Sequence, residues 1–306
     1  MHFCMKLNIP WEWYRTFLAV MKEGSLSGAA RMLAITQPTA GRHVAALESA
    51  LGLVLFIRSQ TGLQPTDAAV ALQGHAQAME NTASMIERSA AGFSTRTGEL
   101  RGVVRVSASE IIGTEVLPPL IAQIKEAHPQ VAIELVLSNR IQDLLHREAD
   151  IAVRMTRPVQ EQLIARRMGS IEMGLHAAPA YLARHAAPES MEALFTHTLV
   201  GFDKITPFIL QALKQYPQLH RERFTVRTDS DVAQLNLIRA GAGIGICQVR
   251  LADFPVPLQR LLPDFFALHL DTWLVMHEDL RQSKACKTVF DILAEGLQAY
   301  ITKAKP

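Results

Sequence analysis

The residues richest in chemistry lie early in the chain, between Gln37 and His43. Gln37, Thr39, Arg42 and His43 place an amide, a hydroxyl, a guanidinium and an imidazole within seven residues, beside Pro38. A guanidinium can pair bidentately with guanine O6/N7 and an amide with adenine N6/N7, while threonine offers a methyl to thymine and a hydroxyl to phosphate. Ser27 upstream, and Arg58 and Gln60 downstream, add further groups of the same kind. A second polar set is spread along the later chain: Ser107, Ser109, Arg154, Thr156 and Thr206, with the aromatic Phe202. Hydroxyls around one Arg suit a small polar ligand, most readily an anion. Each of these also has a structural alternative, as a helix cap or a salt bridge.

Neither set has the spacing of a catalytic or metal centre. There is no GxSxG, HExxH or GxxxxGK[ST] run, and His176, His185 and His197 are scattered. Cys4, Cys247 and Cys286 form no CxxC pair, so neither a zinc site nor a disulfide framework is expected. The run Gly241-Ala242-Gly243-Ile244-Gly245 follows a helical pattern and precedes a strand, the reverse of a dinucleotide-binding loop. No cofactor or metal is expected, and the chain does not read as an enzyme.

The first set needs a helix to carry it. Ser25 to Leu51 reads as two short helices joined by a tight turn. Ser27 is the expected cap of the first, Gly28-Ala29-Ala30 keeps one face small, and Leu33 closes it. Thr36 caps the second, with Pro38 in the first turn, where a missing N–H costs little. Ala40, Val44, Leu47 and Leu51 recur at spacings of 4, 3 and 4, so one face is apolar and the polar groups share the other side near the N-terminus. An ordinary helical hairpin with a solvated face has the same local pattern. Around this pair, Trp11 to Lys22 is a helix with Tyr14, Phe17, Leu18 and Met21 on one side, ended by Gly24. Val54 to Arg58 and Leu63 to Pro65 are two short strands about a turn. Three helices and a hairpin over residues 1–66 make a winged helix-turn-helix, with Arg58 and Gln60 at the wing, where an exposed hairpin is the plain alternative.

Thr66-Asp67 then opens a long helix over 67–92. Leu72, Ala76, Met79, Ala83, Ile86 and Ala90 recur at 4, 3, 4, 3 and 4, a narrow seam that needs a partner. Pairing with a second copy would set two reading helices on one duplex; packing against the chain's own domains is the alternative. Residues 93–102 read as a linker. From 103 to 306 strands alternate with helices, beginning with a βαβαβ unit over Val103–Met155 that includes a helix at Ile141–Arg147. Further strands are expected at Glu172–Ala177, Leu199–Phe202, Phe224–Arg227, Ile244–Gln248 and Leu268–His277, with a helix over Ser230–Ala240 capped by Asp229. A final helix, Lys284–Thr302, closes back on the first lobe. The fold class is α/β in two lobes, one near 103–168 with 269–306 and one near 169–268. In open α/β sheets ligands bind beyond the carboxyl ends of strands, which is where the second polar set falls.

Composition bounds the partners. The chain has 306 residues with 49% hydrophobic and 20% charged content, an ordinary globular balance across more than one domain. Net charge is only +2, so nucleic acid must be met by a local patch; residues 1–66 hold six Lys/Arg against three acids. The start lacks the basic-then-apolar pattern of an export signal, no run of about 18 apolar residues suggests a span, and a reducing cytoplasm is expected.

Phe17-Leu18-Ala19-Val20, Gly24-Ser25-Leu26, Ala29-Ala30, Leu33, Gln37-Pro38, Leu47-Glu48, Leu51-Gly52, Leu55-Phe56, Arg58, Leu63 and Thr66 together resemble the LysR-type transcriptional regulators. Later runs do so too: Arg105-Val106, Leu117-Pro118, His128-Pro129, Asp150-Ile151-Ala152-Val153-Arg154 and Arg239 to Gly245. The resemblance covers essentially the whole chain. It implies a winged helix-turn-helix on promoter DNA, dimers paired through linker helices and usually tetramers, contact with RNA polymerase, and an effector domain with the type 2 periplasmic-binding-protein fold. It also implies that Ser107, Ser109, Arg154, Thr156 and Thr206 line the effector pocket. A solute-binding protein with the same bilobal fold is the rival reading, but it has no use for residues 1–91. Two departures stand out. Gly41 occupies a recognition-helix position where the family commonly has Ser, and Ala69 one where it commonly has Gly.

Overall fold

A computed structural model of the chain describes residues 8–59, 62–93, 100–139, 149–158, 162–253 and 256–302. It divides into two compact units that part after Glu87. The first is built on three helices, α1 (Trp11–Glu23), α2 (Leu26–Met32) and α3 (Gln37–Leu51), and a hairpin of β1 (Phe56–Ser59) and β2 (Gly62–Pro65). Phe17, Val20, Ala29, Val44, Leu47, Leu55 and Phe56 form its core. Gly24 ends α1 at φ 65, a backbone setting that glycine adopts without steric cost. Gly62 then packs on that turn: Leu63 N–H donates to the Gly24 carbonyl at 2.8 Å, and a Cβ on Gly62 would lie 2.6 Å from the same oxygen.

Thr36 caps α3 as its sequence requires, with Pro38 in the first turn. The cap of α2 is different from the one expected. Ser25, not Ser27, holds the extended conformation and accepts from Gly28 N–H at 3.1 Å, while Ser27 lies inside α2 and is exposed. Thr66 Oγ1 accepts from Ala69 N–H at 3.3 Å and so opens α4 (Asp67–Phe93). The heptad-spaced stripe on α4 splits. Ala76 is buried and Leu72 half-buried in the core of the winged module, so these two positions are taken by the chain itself rather than free for a partner. Met79 and Ile86 remain 44% and 62% exposed. The Ala90 side chain, Gln60 and the helix expected at Ile141–Arg147 lie outside the described residues.

The second unit is one mixed sheet. Its strands are β3 (Gly102–Ala108), β4 (Val131–Leu137), β5 (Ile151–Arg154), β6 (Leu163–Ala177), β7 (Leu199–Phe202), β8 (Val226–Thr228), β9 (Ile244–Gln248), β10 (Gln259–Leu261) and β11 (Leu268–His277). They run in the order β4-β3-β5-β11-β6-β9-β7-β8, with β10 on β6. A first lobe holds parallel β4, β3 and β5, and a second holds parallel β9, β7 and β8. β6 and β11 run antiparallel through both. β6 is much longer than the strand expected at 172–177; Arg166 and Arg167 interrupt its apolar pattern, yet it pairs from Leu163 onward. β8 begins two residues later than expected, because Arg221–Arg223 forms a 3-10 turn and Phe224 follows it.

Helix α5 (Leu117–Ala127) follows a π-helical turn, Ile112–Val116. Short helices α6 (Pro179–Leu182) and α7 (Met191–Leu194), and then α8 (Pro207–Gln215), go beyond what the pattern predicts. Next, α9 (Asp231–Arg239) is capped by Ser230, which accepts from Ala233 N–H at 3.4 Å. That corrects the expectation that Asp229 caps it. Asp229 instead accepts from the Lys204 backbone N–H at 2.9 Å and from Lys204 Nζ at 2.6 Å. The last helix, α10 (Lys284–Thr302), packs on α5, β3 and β6, with Gly296 seated against Leu120.

Candidate nucleic-acid interface and effector cleft

Burial orients α3. Ala40, Val44 and Leu47 face the core, so Gln37, Pro38 and Arg42 are exposed on the other side. The cap also organises the polar groups: Thr39 Oγ1 lies 2.8 Å from Thr36 Oγ1, and Arg42 Nη2 reaches Thr39 Oγ1 at 3.4 Å. Arg42 is thus held along the helix near its positive end, where phosphate is also favoured. His43 is half-buried and turned partly inward, with Nδ1 2.9 Å from Thr16 Oγ1. The Thr16 hydroxyl donates to the Glu12 carbonyl at 2.8 Å, so His43 Nδ1 is the donor in this pair. In the neutral ring Nε2 is left as an acceptor, which matches a base N–H rather than a phosphate.

Glu48 fixes the wing to α3. Its Oε1 accepts from Leu55 N–H at 2.7 Å and Phe56 N–H at 3.2 Å. Side-chain types along α3 give Glu48 no role, because its partners lie beyond the turn that ends the helix. Arg58 is exposed on β1, opposite Leu63. Gly41 is half-exposed, and a Cβ there would meet only Leu26 Cδ1, at 3.7 Å.

In the second unit the structure brings Ser107 and Arg154 together. Ser107 is 4% exposed at the end of β3, and its Oγ accepts from Arg154 Nη2 at 2.9 Å. Arg154 Nη1 also reaches the Val153 carbonyl at 3.1 Å. Ser109 is half-buried, with its carbonyl taken by Gly113 N–H at 2.9 Å, and Thr156 is exposed. The other two expected residues have structural work. Phe202 packs on Phe224, with ring centroids 5.0 Å apart. Thr206 caps α8, accepting from Ile209 N–H at 3.3 Å.

What the sequence did not reveal is a polar seam that starts at Glu110, just beyond Ser107 and Ser109. Glu110 and Asn139 meet Ser230 and Asp231, and Glu115 pairs with Arg239. Burial, and then the Glu110 charge, raise the Asp231 carboxyl above its ordinary range. Nearby, burial pushes the Cys247 thiol up to about 12, so it stays protonated beside His176 Nδ1, 3.3 Å away. Among the described residues no cluster of three or more His, Cys, Asp or Glu could hold a metal, and no helix is long and apolar enough to cross a membrane.

Known proteins match both units. The lysR-family model of bacterial regulatory helix-turn-helix proteins matches residues 11–70, and the LysR substrate binding domain model matches residues 97–298. The Mau operon transcriptional activator of Paracoccus denitrificans is 31% identical over 297 residues, 94% of this chain and 98% of that one. An HTH-type transcriptional regulator of Xanthomonas campestris is 26% identical over 71% of this chain, which spans 60% of that relative's length. The solved structure of CrgA, a LysR-type regulator from Neisseria meningitidis, matches with a TM-score of 0.56 at 26% identity, covering 94% of this chain and 98% of that one. The chain therefore belongs to the LysR family of transcriptional regulators, with a helix-turn-helix DNA-binding domain and an effector-binding domain. The solute-binding and enzymatic alternatives find no support among these relatives, which are transcriptional regulators.

Proposed function

We propose that the protein reads double-stranded promoter DNA through the N-terminal half of α3 and that a small polar, anionic effector bound between the two lobes controls this. The observation that carries the reading is the division of α3 into a buried Ala40/Val44/Leu47 face and an exposed Gln37/Pro38/Arg42 end. Arg42 and Gln37 pair with base edges, Thr39 and Ser27 contact phosphate or base, His43 accepts through Nε2, and Arg58 and Gln60 follow the backbone from the wing. Arg154 and Ser107 anchor the effector, with Ser109 and Thr156 at the rim; Phe202 and Thr206 shape the second-lobe side.

Two copies pair through the exposed part of α4 so that two α3 helices meet one duplex, and pairs assemble further into tetramers. An apolar groove of about 430 Å³ lined by Trp11, Ala78, Met79, Thr82, Ala83 and Ile86 supports pairing there. The working compartment is the cytoplasm, and bound dimers act by contact with RNA polymerase. Arg42→Ala tests the central step: it weakens retardation of operator DNA by more than about tenfold, the loss of one good base pair contact, while fold and oligomeric state persist. Unchanged retardation removes Arg42 from the interface.

A further inference from the structure

The two lobes share β6 and β11, and one flank of that junction is fastened by side chains. From the first lobe come Glu110, Ile111 and Glu115 after β3, Asn139 after β4, and Tyr300 near the end of α10. From the second come Ser230, Asp231 and Arg239 at the two ends of α9, with Gln248 and Arg250. Arg239 forks onto Glu115, Nη2 to Oε2 at 2.8 Å and Nη1 to Oε1 at 3.2 Å, with the side chains only 8% and 20% exposed. Ser230 Oγ donates to Glu110 Oε2 at 3.0 Å. Asn139 links the Asp231 carboxylate to the Glu110 backbone: Nδ2 donates to Asp231 Oδ2 at 2.9 Å, and Oδ1 accepts from Glu110 N–H at 3.0 Å. Tyr300 OH donates to Gln248 Oε1 at 2.7 Å, and Arg250 Nε to the Tyr300 carbonyl at 3.0 Å. Ile111 and Tyr300 also pack against the second-lobe core of Leu235, Ile238, Cys247 and Leu251.

We propose that this flank is a regulatory clasp: fastened, it fixes the angle between the lobes, and released, it lets them turn about β6 and β11. Three features favour a device with two settings over a permanent weld. A buried ion pair gains little net stability over apolar packing of the same volume, so the Arg239–Glu115 fork does not act as a strong permanent weld. The Glu110 carboxylate, held by Ser230 Oγ, stands beside Asp231, the next residue, and its charge acts on the Asp231 carboxyl, so part of the clasp's attraction is spent against like-charge repulsion. Glu115 also lies in the π-helical turn Ile112–Val116, a local irregularity of the kind that recurs at functional positions.

The link to the effector rests on the reading proposed above. Ser107 and Ser109 stand within three residues of Glu110 on the same strand end, so a ligand held by Ser107 and Arg154 acts directly on the clasp. It does so only through unequal affinity for the two settings.

Hydrogen exchange on the full-length protein tests the clasp itself. In Arg239→Met, amides of residues 111–116 and 232–240 exchange about tenfold faster or more, while β3 and β6 keep their protection. The swap Glu115→Arg with Arg239→Glu restores exchange to within about threefold of the natural protein. Asp231→Asn, which removes repulsion and keeps an acceptor for Asn139, slows exchange of the same segments. Unchanged exchange in Arg239→Met overturns the clasp; if that variant does not fold, unchanged exchange in Asp231→Asn overturns it. Footprinting tests the regulatory half: Arg239→Met protects a different length of operator DNA from the natural protein, and an identical footprint overturns the coupling. Natural protein that footprints on no DNA refutes the proposed function instead, and leaves the exchange result standing.

Discussion

Replacing Gly41 by Ala stabilises the winged module and leaves DNA binding intact. Gly41 sits in the interior of α3 with ordinary helical backbone, and glycine there costs ~0.8–1.0 kcal/mol relative to alanine. Nothing steric offsets that gain. The new methyl would meet only Leu26 Cδ1 at 3.7 Å, which is normal van der Waals contact. Because this methyl points toward α2, it does not stand between α3 and the duplex. For a unit of this size ~1 kcal/mol raises the unfolding temperature by ~4–8 °C. The tryptophans make the assay selective: Trp11 and Trp13 lie on α1 and Trp273 in the other unit, so fluorescence melting in a Trp273→Phe background reports on the winged module alone. Gly41→Ala is expected to melt higher by roughly this amount and to retain operator DNA as the parent does. A lower melting temperature would refute the packing argument. A higher one with DNA retention lost would show that α3 needs bare backbone at Gly41, and that this position faces the duplex instead of α2.

Further outcomes follow from the same geometry. The Asp231 carboxyl is raised above its ordinary range in the folded protein, so its contribution is favourable below the unfolded-state value and is lost as pH rises through the folded one. Asp231→Asn is therefore more stable than the natural protein at neutral pH, and the advantage shrinks as the solution is acidified; a constant difference in melting temperature across pH would contradict this. Met79→Glu with Ile86→Glu is expected to yield folded monomers by light scattering, whereas a persisting dimer removes that stripe from the interface. Arg154→Met leaves basal operator binding in place and abolishes any effector-induced change of footprint, and an intact response would make Arg154 structural.

The reading head is legible because every signal in it is local. Thr36, Pro38, the 4-3-4 apolar spacing of α3 and the stop at Gly24 lie within a few residues of what they control. The exception is the cap of α2, where two serines flank Leu26; the cap belongs to the one with extended backbone, φ −154 and ψ 149 at Ser25. The α4 stripe shows a deeper limit. A heptad spacing states that a face is covered, not by what, and here the chain itself covers Leu72 and Ala76. Strand β6 hides behind Arg166 and Arg167, of which Arg167 pairs with Asp271 at 2.6 Å across the strands. For α8 the signal is present, since Thr206-Pro207 has the cap-then-proline form that marks α3, but the Thr206 hydroxyl suits a ligand equally well. The polar seam is out of reach altogether. Glu110 finds Ser230 120 residues away and Glu115 finds Arg239 124 residues away, and no local pattern encodes such partners.

The most direct measurement is genomic footprinting of the natural protein beside Arg42→Ala, with the salt dependence of binding to the sites found. A DNA-reading α3 predicts discrete protected sites as paired half-sites about one helical turn or a multiple apart. It also predicts a log–log fall of affinity with salt and loss of protection in the variant. Absence of discrete sites, or protection unchanged in Arg42→Ala, would contradict it.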